Sequence, residues 1–351
     1  MPEHLARTLD RPSARGSDLP PTEVCVTIDT EFSIGGAFAD PERYRPLSRE
    51  LVDCAIDGRS EGLDFLLRLL RDFGISATFF VEALQCFYFG ERPMGRIAER
   101  IASEGHDLQL HLHPCWWGFR SENWRYSAAE ADACAARSVD ELCGMIEFGA
   151  AQFARWKLPP PRALRAGSFS CGPAVHQAMD KCGITLGSNI ALGTYYPADP
   201  DFHLPSGSRM FGGILEVPAL TYSAPHPAVG SRLRTMAITS TSSREMEALL
   251  WLARDAGISP VVVLTHPFEF VKRTDFRFRQ LRRDHVNQRR LNRLFEFLGR
   301  HGAEFSATTF ARSGDAWIAA GGTPGRLLQT PAHLALNRLG ENAMNTLFWQ
   351  Y

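Results

Sequence analysis

Apolar positions along the chain alternate between short unbroken runs and helical stripes. Residues 23–28 (EVCVTI) form a β-branched run that ends in Asp29-Thr30-Glu31 and a Gly-containing stretch at 33–36, which predicts a buried strand delivering acids at its C-terminal end. Over 62–73, Leu63, Phe65, Leu66, Leu69, Leu70 and Phe73 recur at helical spacing and Gly74 stops the helix. Residues 76–81 (SATFFV) predict a second strand, 94–103 a second helix closed by Gly105, and 107–112 (DLQLHL) a third strand.

After an aromatic insertion at 115–126, a long helix is predicted over 128–156. Strands follow at 163–166, 185–190, 214–217, 235–239 and 261–265, with helices at 174–182, 243–256 and 286–300. The alternation predicts a parallel α/β sheet, and the absence of GxGxxG and of a P-loop favours a closed barrel over an open doubly wound sheet. Residues 1–21 read as a disordered N-terminal segment, 22–312 as the barrel domain, and 313–351 as a tail packed outside the barrel, on or near it.

Composition narrows the setting. The 351 residues are 44% hydrophobic and 22% charged, with 38 Lys and Arg against 39 Asp and Glu. A net charge of −1 provides no global field toward nucleic acid or an anionic membrane. The N-terminus lacks an apolar signal core and no later apolar run reaches ~18 residues, so a cytoplasmic protein without a transmembrane segment is expected. Eight cysteines stand singly with no CxxC pair, as reduced and mostly buried thiols do.

Polar clusters stand at strand ends. Asp29 and Glu31 are two residues apart, so an extended backbone points both carboxylates to one side, where they can hold a cation or divide binding and proton transfer between them. A lone DxE would serve equally as a solvated strand end. His111 and His113 repeat the spacing before Pro114, and neutral imidazoles on one face are ligands for Zn²⁺ and similar ions, with His106 and Cys115 as weaker candidates to join them. His266 ends the apolar strand at 261–265, in place for a general acid, and Arg165 is a strand-end charge that needs a partner, for which Asp29 is the candidate. Glu216 is a further strand-end acid, a substrate contact or a structural pair. Trp116 and Trp117 could stack a sugar at the mouth or simply pin their loop.

Taken in order, Thr27-Ile28-Asp29-Thr30-Glu31, Ala77-Thr78-Phe79-Phe80-Val81, His111-Leu112-His113-Pro114, Leu164-Arg165-Ala166-Gly167 and Leu264-Thr265-His266-Pro267 resemble the polysaccharide deacetylase superfamily over residues 23–312. The resemblance implies a distorted (β/α)7 barrel, a bound divalent metal and hydrolysis of an acetamido group on a saccharide or amino-sugar. It also implies Asp29 as base, His111 as metal ligand, Arg165 as the residue that orients the base, and His266 as general acid. The pattern departs from the family where Thr30 replaces a second Asp and His113 replaces the second His of HxxxH, so Glu31, His111 and His113 are the expected ligands, of Zn²⁺ above other ions. The roles of Asp29 and Glu31 remain exchangeable at this stage. A metal-dependent glycosyltransferase using the DxE pair and a non-catalytic saccharide-binding barrel are the alternatives.

Overall fold

The computed structural model describes residues 20–121, 132–226 and 228–347. The β-branched run forms β1 (Thr22–Thr30), whose alternation serves two cores: Val24, Val26 and Ile28 join the layer shared with the helices, while Cys25 joins the barrel interior. Helix α1 (Leu63–Asp72) leads to β2 (Thr78–Glu82), and α2 (Arg92–Ser103) to β3 (Asp107–Leu112). Helix α3 (Val139–Arg155), β4 (Ala163–Ala166), α4 (Pro173–Lys181), β5 (Leu186–Gly187) and β6 (Ile214–Glu216) follow. A hairpin of β7 (Thr221–His226) and β8 (Gly230–Thr235) precedes α5 (Ser243–Asp255) and β9 (Val261–Thr265). The chain continues through α6 (His285–Arg300), β10 (Phe305–Thr308), α7 (Phe310–Ala319) and α8 (Ala332–Leu347).

Strands β9, β1, β2, β3, β4, β5 and β6 pair in that order, all parallel, and an isolated parallel bridge between Ala219 and Val262 joins the last back to the first. The result is the expected distorted (β/α)7 barrel, with β5 only two residues long. Its interior packs Cys25, Phe80, Leu186, Leu215, Val262 and Leu264 around Phe310 and Trp317 from α7. Trp317 Nε1 and Ser313 Oγ donate to the two carboxylate oxygens of Glu23 at 2.5 and 2.6 Å, fixing α7 at the start of β1. None of the described helices is long and apolar enough to cross a membrane.

Three expectations change. The boundary expected after Arg312 falls inside α7, and the residues beyond it do not all pack outside: Trp317 helps fill the barrel, because the strands alone leave that end without an apolar plug. The long helix begins at Val139 rather than 128, since Ser138 and Glu141 form a reciprocal capping box that fixes its start, and Cys134–Ala136 is a 3₁₀ turn. Residues 122–131, with Trp124, Arg125 and Tyr126, lie outside the described residues, as do 1–19. The strand expected at 235–239 is the end of β8 and a turn; the apolar residues Met236 and Ile238 are buried there through irregular pairing with Leu220 and Leu264.

Helix α8 returns to the barrel through two ion pairs, one of them fully buried. Arg338 binds Glu245 of the α5 capping box, and Arg290 of α6 binds Glu341 at 3.0 Å. Burial raises the Glu245 carboxyl, and Arg338 is among the groups opposing that rise. Replacing Arg338 by Ala leaves a fully buried carboxylate without its counter-charge, a change expected to destabilise by about 3 kcal/mol. Urea unfolding should show this as a lower midpoint at unchanged slope, and a loss below about 1 kcal/mol would show that α8 is not anchored by this pair.

Candidate active site

The parallel register sets the site. Asp29 ends β1 opposite Phe80, His111 sits between Glu82 of β2 and Arg165 of β4, and Ile28 pairs with Thr265, one residue before His266. The C-terminal strand ends therefore bring Asp29, Glu31, His111, His113 and His266 to one mouth, as expected for a barrel. These residues line a cleft of about 560 Å³, together with Ser168, Phe169, Glu269 and one wall of β8.

Arg165 is fully buried under this mouth. Its Nη1 donates to Asp29 Oδ1 at 2.6 Å and to Thr27 Oγ1 at 3.0 Å, its Nη2 donates to Ser188 Oγ at 2.8 Å, and its guanidinium lies 4.1 Å from the Phe80 ring centre. Asp29 Oδ2 is left facing His266 Nε2 at 3.8 Å. On its other side His266 Nδ1 donates to Glu269 Oε1 at 3.0 Å, while Glu269 Oε2 accepts from Thr265 Oγ1 at 2.8 Å. Burial alone would lower the His266 pKa, but the Glu269 carboxylate and then Asp29 and Glu31 override it and lift the imidazole to about 9.

Glu31, His111 and His113 converge. Glu31 Oε2 lies 3.2 Å from His111 Nε2 and 2.6 Å from His113 Nε2, and one donor atom from each residue falls within 4.8 Å of the others. The carbonyl of Arg165 can only accept, so at 2.9 Å it takes the His111 Nδ1 proton and turns Nε2 toward Glu31. His113 Nδ1 is likewise 2.6 Å from Asp132 Oδ2, whose other oxygen accepts from the Cys115 backbone N–H at 3.3 Å. Burial disfavours charge on His113 and on Glu31, yet each holds the other charged: the His113 pKa is raised well above its ordinary value and that of Glu31 is lowered well below. Two imidazole nitrogens, each ring fixed through its Nδ1, and one carboxylate oxygen fit a divalent cation.

Of the remaining candidates, Trp116, Trp117 and Glu216 do not line the cleft. Trp116 is buried against Phe89 and Phe119, and Trp117 packs on Phe87 with the Arg120 guanidinium 3.7 Å from its ring centre. Glu216 is wholly buried and accepts from Asn189 Nδ2 and His176 Nε2, each at 2.9 Å, so it takes the structural pairing. His106 lies at the other end of β3, against the Ala77 amide. Cys115 is buried beside Asp132, burial raises its thiol, and one ligand atom each from Cys115, Asp132 and His113 falls within 4.8 Å of the others, a second grouping that shares His113.

Residues that sequence reasoning missed include Glu269, Asp132 and Glu82. Glu269 carried a usable signal, an acid three residues after His266 in the turn Pro267–Phe270. Asp132 carried none, since it meets His113 from 19 positions further along the chain. Glu82 extends the SATFFV strand by one residue; its Oε2 is buried without a hydrogen-bond partner, and burial lifts the carboxyl to about 8. Ser168 and Phe169 hold left-handed backbone at φ 53° and 55°, strain of order 1–3 kcal/mol each, and both line the cleft.

No family model matches the chain, and no curated protein matches it in sequence. Among solved structures, a Mycobacterium smegmatis protein assigned to the polysaccharide deacetylases superposes with a TM-score of 0.54 at 16% identity, covering 89% of this chain and 95% of that one. A family 4 acetyl xylan esterase from Clostridium thermocellum, in complex with cobalt, matches with a TM-score of 0.41 at 14% identity, over 85% of this chain and 92% of that one. A CE4 family pseudoenzyme from Bacillus anthracis matches with a TM-score of 0.41 at 11% identity, over 83% of this chain and 64% of that one. At these identities the likeness is one of fold: the chain has the distorted barrel of the polysaccharide deacetylases.

Proposed function

We propose that the protein is a metal-dependent hydrolase that removes an acyl group, N-acetyl above others, from an amino-sugar or saccharide. The observation that carries this reading is the convergence of Glu31, His111 and His113 on one side of a cleft whose other side is the Asp29 and His266 pair. A divalent ion held by these three residues, Zn²⁺ for a mixed imidazole and carboxylate set, would supply Lewis-acid polarisation of the amide carbonyl and of a water.

The chain's own groups divide the proton transfers. Arg165 fixes Asp29 Oδ1, so Oδ2 is the oxygen that faces the cleft and takes the proton of the attacking water. His266, protonated near neutrality through Glu269, donates from Nε2 to the departing amine. Asp132 and the Arg165 carbonyl keep the ligand imidazoles turned toward Glu31. The glycosyltransferase alternative needs Asp29 and Glu31 as a joint metal pair, whereas here Asp29 is bound to Arg165 and only Glu31 faces the histidines. Eight free cysteines support a reducing, cytoplasmic setting.

Protein purified without chelator should carry about one divalent ion per chain by elemental analysis and release acetate from N-acetylated amino-sugar oligomers; His111→Ala should lose both ion and activity. Stoichiometric metal in that variant would overturn the ligand set. His266→Ala should keep the metal while kcat/KM falls by about 10² or more. Loss of metal there would instead make His266 a ligand.

Because His266 must be protonated to act, kcat/KM should decline as pH rises through about 9. Glu269→Gln removes the nearest negative charge, so this alkaline limb should move to lower pH by about one unit or more. An unmoved limb would show that another group sets it.

A further inference from the structure

We infer that the cleft contains a subsite for an anionic group, carboxylate or phosphate, and that Arg232 is the residue that recognises it. The inference rests on the deacylation reading and names the substrate class of that site. Arg232 and Arg234 are two residues apart on β8, an alternation that turns both toward one face, and both line the cleft that holds Asp29, Glu31, His111, His113 and His266.

Charge accounting within the cleft separates these arginines from the rest. Asp29 is bound to Arg165, Glu31 to the two ligand histidines, and Glu269 to His266 and Thr265. Every cleft carboxylate thus already has an internal partner. Arg234 donates from Nε and Nη2 to the Ser240 carbonyl, at 3.2 and 2.9 Å; it forms no ion pair among the described residues and feels Glu245 only at longer range, from outside the cleft. The Arg232 side chain, exposed at the rim, makes no hydrogen bond or ion pair among the described residues.

The wall that carries them is built. A Cβ at Gly193 would fall 2.3 Å from the Thr235 amide nitrogen and 2.5 Å from the Arg234 carbonyl carbon, so only glycine lets that loop lie against β8. Thr194 Oγ1 then bonds Thr235 Oγ1 at 3.1 Å, and Thr194, Thr235, Thr239 and Ser240 add hydroxyls beside the two guanidiniums. Guanidinium forks next to hydroxyl donors match the oxygens of a carboxylate or a phosphate. The substrate this wall fits is an acylated amino-sugar with its amide at His266 and an anionic substituent at Arg232.

The test is calorimetric binding to metal-loaded His266→Ala protein, in which turnover is slowed, with three probes: N-acetylglucosamine, N-acetylglucosamine 1-phosphate and N-acetylmuramic acid. One or both anionic sugars should bind at least about tenfold tighter than the neutral one, with the advantage shrinking as salt is raised, and which of the two does so identifies the group. Arg232→Gln in the same background should abolish that advantage without changing the Kd of N-acetylglucosamine. Equal affinities for all three probes, or an anionic advantage that survives Arg232→Gln, would overturn the inference. Anion preference without acetate release by the parent protein would count against the deacylation reading alone.

Discussion

The site depends on one buried arginine. Arg165 has its guanidinium clamped by Asp29, Thr27 and Ser188 over the face of Phe80, while its own carbonyl holds the Nδ1 proton of His111. One residue of β4 therefore sets both the oxygen that Asp29 presents and the nitrogen that His111 presents. A charge this deep is tolerated only while it stays paired and fully hydrogen-bonded, so removing Asp29 or Arg165 singly exposes the other to a desolvation penalty of about 3–5 kcal/mol. The barrel interior is accordingly stratified: an apolar lower layer around Phe310 and Trp317, the ion pair above it, and the histidines with Glu31 at the mouth.

Much of this was legible in the sequence because it is local. The parallel strands and their helices follow from the change between unbroken apolar runs and helical spacing, and DLQLHL and VVVLT fall on β3 and β9 residue for residue. The spacing of two in Asp29-x-Glu31 and His111-x-His113 puts each pair on one side of its strand, since strand alternation needs no tertiary information, and all four side chains line one cleft. What spacing could not settle was the division of labour between Asp29 and Glu31. Arg165, 136 residues from Asp29, binds Asp29 and not Glu31, and this contact in space is what the proposed division rests on.

Where the local pattern left two readings open, distant partners decide the packing. Glu216 and Trp116 look like site residues because they lie next to strand ends, but long-range partners, His176 and Asn189 for one and Phe89 and Phe119 for the other, take them into packing. Asp132 and the arginines of β8 were invisible for the converse reason: Asp132 meets His113 from 19 positions along the chain, and a hairpin with no period of its own carries the arginines to the cleft. The segment at 235–239 resembled a strand by composition, yet its apolar side chains are buried through irregular bonds to β7 and β9 rather than through a ladder of its own.

The central claim is a division of the mouth into a cation-holding side and a proton-transferring side. Crystals of protein purified without chelator, with anomalous diffraction recorded above and below the zinc edge, test it most directly. A single strong peak bounded by Glu31 Oε2, His111 Nε2 and His113 Nε2 is expected, with Asp29 still bound to Arg165 and His266 still bound to Glu269. A peak coordinated instead by Asp29 or His266, or no peak in fully active protein, would contradict it.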